Sequence, residues 1–136
     1  MTAALPPMLG LRHVAVSVAG PLLEPCVRFY SEGMGMAIDW QPDPDNVYLS
    51  SGSDNLALHR VAAVDHSTSA LDHLGFVVAA ADDVRAWHAR IDALIGEHDV
   101  AVLMAPKLHR DGSTSFYFRD PAGTKVQVIH IPTLRP

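Results

Sequence analysis

Cysteine is almost missing from this chain of 136 residues: Cys26 is the single thiol, so no internal disulfide forms, and the expected setting is a reducing cytoplasm. On a helix, Cys26 is expected to be a buried small apolar side chain. Clusters of cations are missing as well. Ten Lys and Arg against fifteen Asp and Glu leave a formal charge of -5, and without a basic run the attraction to a phosphate backbone has no source, which excludes nucleic acid as a partner. No apolar stretch approaches the ~18 residues of a membrane span, so no membrane contact is expected either. The opening MTAALPPMLG has no charged start and is broken by Pro6 and Pro7; it reads as a short disordered leader and not as a signal peptide. What is present, 49% hydrophobic residues with 18% charged, is the composition of a globular fold, and the length suits one domain over residues 1–136.

The chain repeats itself, and the repeat organises everything else. LRHVAVSVA at 11–19 and LDHLGFVVA at 71–79 each place a histidine third in a strand-like apolar run. After the first run, PLLEPCVRFYSEG reads as a short helix, with Pro25 tolerable only in its first turn and Gly33 and Gly35 ending it. MAIDWQ, NVYLSS and NLALHRV follow as strands, separated by the turn segments PDPDN and GSD. The first module therefore covers about 11–61, and 62–70 is a small, polar connector. From 71 to about 131 the order β-α-β-β-β recurs: a strand at 71–78, a helix from about Asp82 to Ile95 with Asp82 as N-cap, and strands near 99–104, 114–119 and 125–131. Trp87 and Ile91, four apart, have the spacing of a helix face packed on a core.

Alternation decides where the side chains point. Val14, Val16 and Val18 need a covering helix, which turns His13, Ala15 and Ser17 the other way. Leu74, Phe76 and Val78 oppose His73, Gly75 and Val77 in the same manner. Leu56 and Leu58 pack and leave Asn55, Ala57 and His59; Val126 and Val128 leave Lys125, Gln127 and Ile129; Phe116 and Phe118 leave Ser115, Tyr117 and Arg119. The face away from the helices thus collects His13, His59, His73, Gln127, Tyr117 and Arg119, a set of coordinating and hydrogen-bonding groups that a core does not need. The remaining histidines, His66, His88, His98, His109 and His130, are expected to be mostly solvated, with His109 on a loop over that face.

With the paired βαβββ halves, the histidine opening each half and the closing FYFRDPAGTKVQVIH, the chain resembles the vicinal oxygen chelate superfamily, which includes glyoxalase I, extradiol dioxygenases, fosfomycin-resistance proteins and bleomycin-binding proteins. The resemblance covers about residues 11–131. It implies a glyoxalase-like α+β fold: two βαβββ modules whose strands form an open curled sheet, a cup, with the helices outside, paired as a homodimer. It also implies a divalent metal (Fe, Mn, Zn or Ni) inside the cup. Carried over by position, His13 and His73 match the two first-strand ligands, Gln127 stands where most metal-binding members have a glutamate, and Ala57 falls at the remaining last-strand position, with His59 two residues on as a further candidate ligand. Tyr117 matches the active-site tyrosine of the extradiol dioxygenases, whereas their catalytic histidine position is Gly112 here, with His109 three residues earlier.

These departures separate two functions. An amide oxygen is an uncharged and weaker donor than a carboxylate, and it accepts no proton at neutral pH, which weighs against glyoxalase I activity. The histidines favour a metal-dependent enzyme, a lyase, isomerase or dioxygenase, that acts on a small substrate chelating through two neighbouring oxygens, with Tyr117 and Arg119 orienting an anionic or enolic oxygen. Ala57 and Gln127 favour the alternative, a metal-free protein that sequesters a drug or metabolite in the manner of the bleomycin-resistance proteins.

Overall fold

The computed structural model describes residues 5–134. The leader reading falls partly on 1–4, which lie outside the described residues; residues 5–12 carry no helix or strand, and Leu5, Met8, Leu9 and Leu11 are exposed. The first half runs β1 (His13–Ala19), a 3-10 turn (Gly20–Leu22), α1 (Leu23–Arg28), a π turn (Phe29–Gly33), β2 (Ala37–Asp43), β3 (Asn46–Ser50) and β4 (Asn55–Val61). The second runs β5 (Leu74–Val77), α2 (Ala81–Leu94), β6 (Ala101–Leu108), β7 (Thr114–Arg119) and β8 (Lys125–His130). No described helix is long and apolar enough to cross a membrane.

The expectation of one curled, cup-shaped sheet is corrected. The strands form two separate four-stranded sheets, ordered β1-β4-β3-β2 and β5-β8-β7-β6, and neither is closed or curled into a cup. The reason lies in what joins the halves. β1 and β5 are each the outer strand of their own sheet. The contact between modules is made by side chains and not by a backbone ladder: the Phe29 ring meets Phe118 edge-on at 5.8 Å, and Tyr30 lies 6.2 Å from Phe76. Within each sheet the parallel pairs β1–β4 and β5–β8 enclose the helix, as crossover connections require.

The helices also differ in detail from the sequence reading. α1 is short because Pro21 and Pro25 withhold two N–H groups near its start. Gly33 ends the π turn where a Cβ would sit 3.1 Å from both Leu94 and Phe29, so a larger residue would push the first helix off the second. The cap of α2 is Ala80, two residues earlier than the expected Asp82. Asp82 lies inside the helix, bonded to Arg85 at 3.1 Å, and it is Asp83 whose carboxylate accepts the Ala80 N–H at 3.0 Å. Ile91 is fully buried and Trp87 packs against the core, as their spacing predicts.

The core draws on both halves: Val16, Val18, Leu49 and Leu58 join Phe29, Val84, Phe116, Phe118, Val126 and Val128 in one apolar cluster. A buried polar clasp sits at its edge. Tyr30 donates to Asp120 Oδ2 at 2.7 Å, the Cys26 thiol lies 3.6 Å from the same oxygen, and Asp120 Oδ1 accepts the N–H groups of Ala122 and Thr124, both at 2.9 Å. Burial pushes the Asp120 carboxyl above its ordinary range against these donors, and burial next to Asp120 raises Tyr30 and Cys26 as well. Cys26 is therefore the buried, unreactive thiol expected of it. The DPAG turn, read from sequence as strain relief at Gly123 (φ 89°), also carries the carboxylate that ties the first helix to the second sheet.

Candidate functional site

The alternation places the candidate residues as read, on the faces away from the helices, and those faces are open only in part: Ala57, Ser115 and Gln127 are buried. His13, Ala15 and Ser17 are exposed while Val16 and Val18 are buried. All seven residues of β2 are exposed, including Ile38 and Trp40. Ile38 and Trp40 thus present apolar surface to solvent.

On the first sheet, register sets the spacing. His13 pairs with Asn55 and Ser17 with His59, so the two histidines lie four positions apart, ~13 Å at the rise of a strand. Side chains standing off one face at that separation do not share an ion with bonds of ~2 Å. Each ring is fixed separately. The His13 Nδ1 lies 2.8 Å from Asn55 Oδ1 and the His59 Nδ1 2.6 Å from Asn46 Oδ1. Between them lie Ala15, exposed, and its register partner Ala57, buried, and beside Ala57 stands Tyr48, whose ring meets Trp40 at 5.0 Å and His59 at 5.8 Å.

The second sheet gathers more. His73, just ahead of β5, has its Nδ1 2.6 Å from Asp72 Oδ1, and its ring stands edge-on to Tyr117 at 5.3 Å. Lys125 lies over the same tyrosine, 4.5 Å from its centre. The bond from His73 and the charge of Lys125 hold Asp72 below the usual carboxylate range. Gln127, opposite Tyr117 in register, is buried and donates from Nε2 to Ser115 Oγ at 2.9 Å; Ser115, also buried, lies 2.6 Å from His109 Nε2. Ser115 accepts from the amide and shares a further bond with His109, and the Gln127 oxygen is turned toward Gly75. His109 is thus part of the site through Ser115. Arg119 is exposed at the sheet end, with Nη1 donating to the Gly123 carbonyl at 3.0 Å.

One feature is common to three histidines. In His13, His59 and His73 the Nδ1 is bonded to a side-chain oxygen, which places the proton there and leaves Nε2 with its lone pair. The other histidines differ: His66 uses Nε2 toward the Ala122 carbonyl at 2.9 Å, His98 is buried edge-on to Phe29, and His88 packs edge-on to Phe116. The expectation of solvation holds for His66, which is exposed, but not for His98, which is buried, and His88 is half-buried on α2.

Within one chain the candidate ligands do not gather. Among the described residues no three His, Cys, Asp or Glu side chains are grouped to hold a metal ion. His13 and His59 stand on one sheet, His73 and Gln127 on the other. A cleft of about 500 Å³ lies where the halves meet under the connector, lined by Ala15, Ser17, Asp72, Arg119, Thr124 and Lys125 among others, yet none of those four residues lines it.

Asp72 was legible as the neighbour of His73, and Asn46 as the residue opposite His59 across the β3–β4 hairpin. Asn55 and Ser115 could be named only once long-range pairing was known.

A family model described as the Glyoxalase/Bleomycin resistance protein/Dioxygenase superfamily matches residues 10–128. Among solved structures, a lactoylglutathione lyase from Agrobacterium tumefaciens is 21% identical, with 92% of this chain and 96% of that one covered at a TM-score of 0.71. A glyoxalase-related enzyme from Fulvimarina pelagi is 20% identical, covering 92% and 90% at a TM-score of 0.71. An integron cassette protein from the Halifax Harbour sewage outfall metagenome is 22% identical, covering 91% and 100% at a TM-score of 0.75. At these identities the likeness is one of fold. No curated protein matches.

Proposed function

Because this chain belongs to the glyoxalase/bleomycin resistance protein/dioxygenase superfamily, we propose that it is a homodimeric, metal-dependent enzyme acting on a small substrate that offers two neighbouring oxygens. The observation that carries the reading is the shared state of His13 and His73: each has Nδ1 tied to an oxygen and Nε2 left as a donor pair, the arrangement a metal-binding imidazole needs. A single chain does not fit a metal, since these donors stand on different sheets. The donor chemistry does fit one, two imidazoles and the Gln127 oxygen, when the open face of the first sheet in one copy meets that of the second sheet in another. The exposed apolar residues Ile38, Trp40, Val77 and Leu103 on the strands support such a pairing.

In this reading His13, His73 and Gln127 hold the ion, which when bound supplies Lewis acidity to the chelated oxygens. The chain's own groups do the rest. Tyr117, fixed between His73 and Lys125, offers its hydroxyl to a developing negative charge. Arg119 adds a cation at the mouth. Metal analysis of protein purified without chelator, with light scattering on the same sample, tests the reading: a dimer with stoichiometric divalent metal is expected, and a metal-free monomer would overturn it.

A second reading, a metal-free binding protein of the bleomycin-resistance type, is favoured by one observation. Gln127 brings no charge, and its amide is already committed to Ser115.

A further inference from the structure

The geometry points to His59 as a proton acceptor for a bound, weakly acidic hydroxyl, with Asn46 and Asp43 as positioning residues that hold its Nε2 open toward the face of the first sheet. This deepens the proposed function, and rests on that reading only in taking the open face as part of a small-molecule site.

Three observations carry it. First, the ring is locked. His59 Nδ1 lies 2.6 Å from Asn46 Oδ1, while Asn46 Nδ2 donates to both oxygens of Asp43 at 2.9 and 3.0 Å. Asp43 accepts only, so the Asn46 amide has one orientation, its oxygen faces His59, and the proton of the neutral imidazole sits on Nδ1. Second, Asp43 stays ionised: the Asn46 amide and then the Asp45 N–H, at 2.8 Å, hold its carboxyl below the usual range. Third, His59 is separated from His13 by four register positions, which leaves its Nε2 without a shared ion to bind.

The surroundings indicate what the acceptor meets. Tyr48 stands edge-on to His59 above the buried Ala57, and the exposed Trp40 ring lies tilted beyond it at 5.0 Å. A flat molecule with an acidic O–H has an apolar surface to lie on and a lone pair at one end. On transfer the substrate O–H bond breaks, its electron pair stays on that oxygen, and the proton moves to Nε2. The imidazolium keeps Nδ1–H on Asn46, and its charge is balanced through the amide by Asp43. Tyr48 is the titratable group beside His59 on β3, and Ser17 stands opposite on β1. Arg60, Asp45 and Glu24 form an ion-pair group joining β4 to the β2–β3 turn and α1.

The probe is 4-nitrophenol, whose phenolate absorbs visibly. Bound to the wild-type protein it should quench tryptophan fluorescence and ionise about one pH unit lower than free probe. His59→Gln should keep the quench and lose the shift; Asp43→Asn should keep the quench and lose part of the shift. A full shift retained in His59→Gln overturns the assignment of His59, and one retained in Asp43→Asn overturns the positioning role. Absence of any quench in the wild-type protein instead removes the open face as a small-molecule site, and the proposed function with it.

Discussion

The two open sheet faces were built from the same plan and have been furnished differently. Position for position, Asn55, Ala57 and His59 on β4 correspond to Lys125, Gln127 and Ile129 on β8. On the second sheet the polar groups bond to one another: Gln127 to Ser115, Ser115 to His109, Lys125 to the face of Tyr117. On the first they are fixed from a turn or a neighbouring strand, His59 by Asn46 and Asp43 and His13 by Asn55, with small residues between them. A dense hydrogen-bonded set is rigid, while the first sheet keeps the small Ala15 exposed between its oriented imidazoles. In the proposed function the second sheet holds and polarises the substrate, and the first admits it and takes a proton.

The halves are compared most severely by cutting what joins them. Asp120→Ala removes the acceptor shared by Tyr30, Cys26 and two backbone N–H groups, and each buried donor left unpaired costs on the order of 1–3 kcal/mol. A loss of about 3 kcal/mol or more in urea unfolding is expected. Both sheets should fail in one transition, because the core draws on both.

A second change makes the faces more unlike. Gln127→Glu adds the missing negative charge and replaces the amide donor to Ser115 with a carboxylate that can only accept, so the Ser115 proton turns to it. Divalent metal should bind about ten-fold more tightly, worth about 1.4 kcal/mol, by titration calorimetry. Unchanged affinity would place Gln127 away from the ion.

The smallest effect concerns pH. Burial raises the folded Asp120 carboxyl, so its protonated form favours the fold: that contribution is complete below the unfolded value of about 3.9 and is lost as pH climbs through the raised one. Asp120→Asn cannot titrate. The stability difference between wild type and variant should therefore shift against the wild type as pH rises through that window, and a constant difference would show that Asp120 titrates normally.

Much of each face was legible in the alternation of single strands, since Val14, Val16 and Val18 must be covered and His13 must then be turned away. Local pairing was legible too, because a short hairpin sets Asn46 against His59. The tie between Tyr30 and Asp120, ninety residues apart, was not, for nothing local distinguishes a turn aspartate from a buried one. Nor was the division of the histidines. The repeat shows that the halves are alike but not which faces meet, and it does not show that each half keeps a sheet of its own. His98 was read as solvated because a lone polar residue in a loop carries no sign of the ring it will meet.

The central claim is that the site is shared between copies, the first sheet of one chain with the second sheet of its partner. His13→Ala and His73→Ala should each lose stoichiometric divalent metal, while His88→Ala, whose ring only packs on Phe116, should keep it. The direct test is to unfold the two site variants together and refold the mixture. In a mixed dimer one site carries both substitutions and the other carries neither, so random pairing should recover about one metal per four chains. Recovery at that level is the predicted result; a refolded mixture as empty as the separate variants would contradict a shared site.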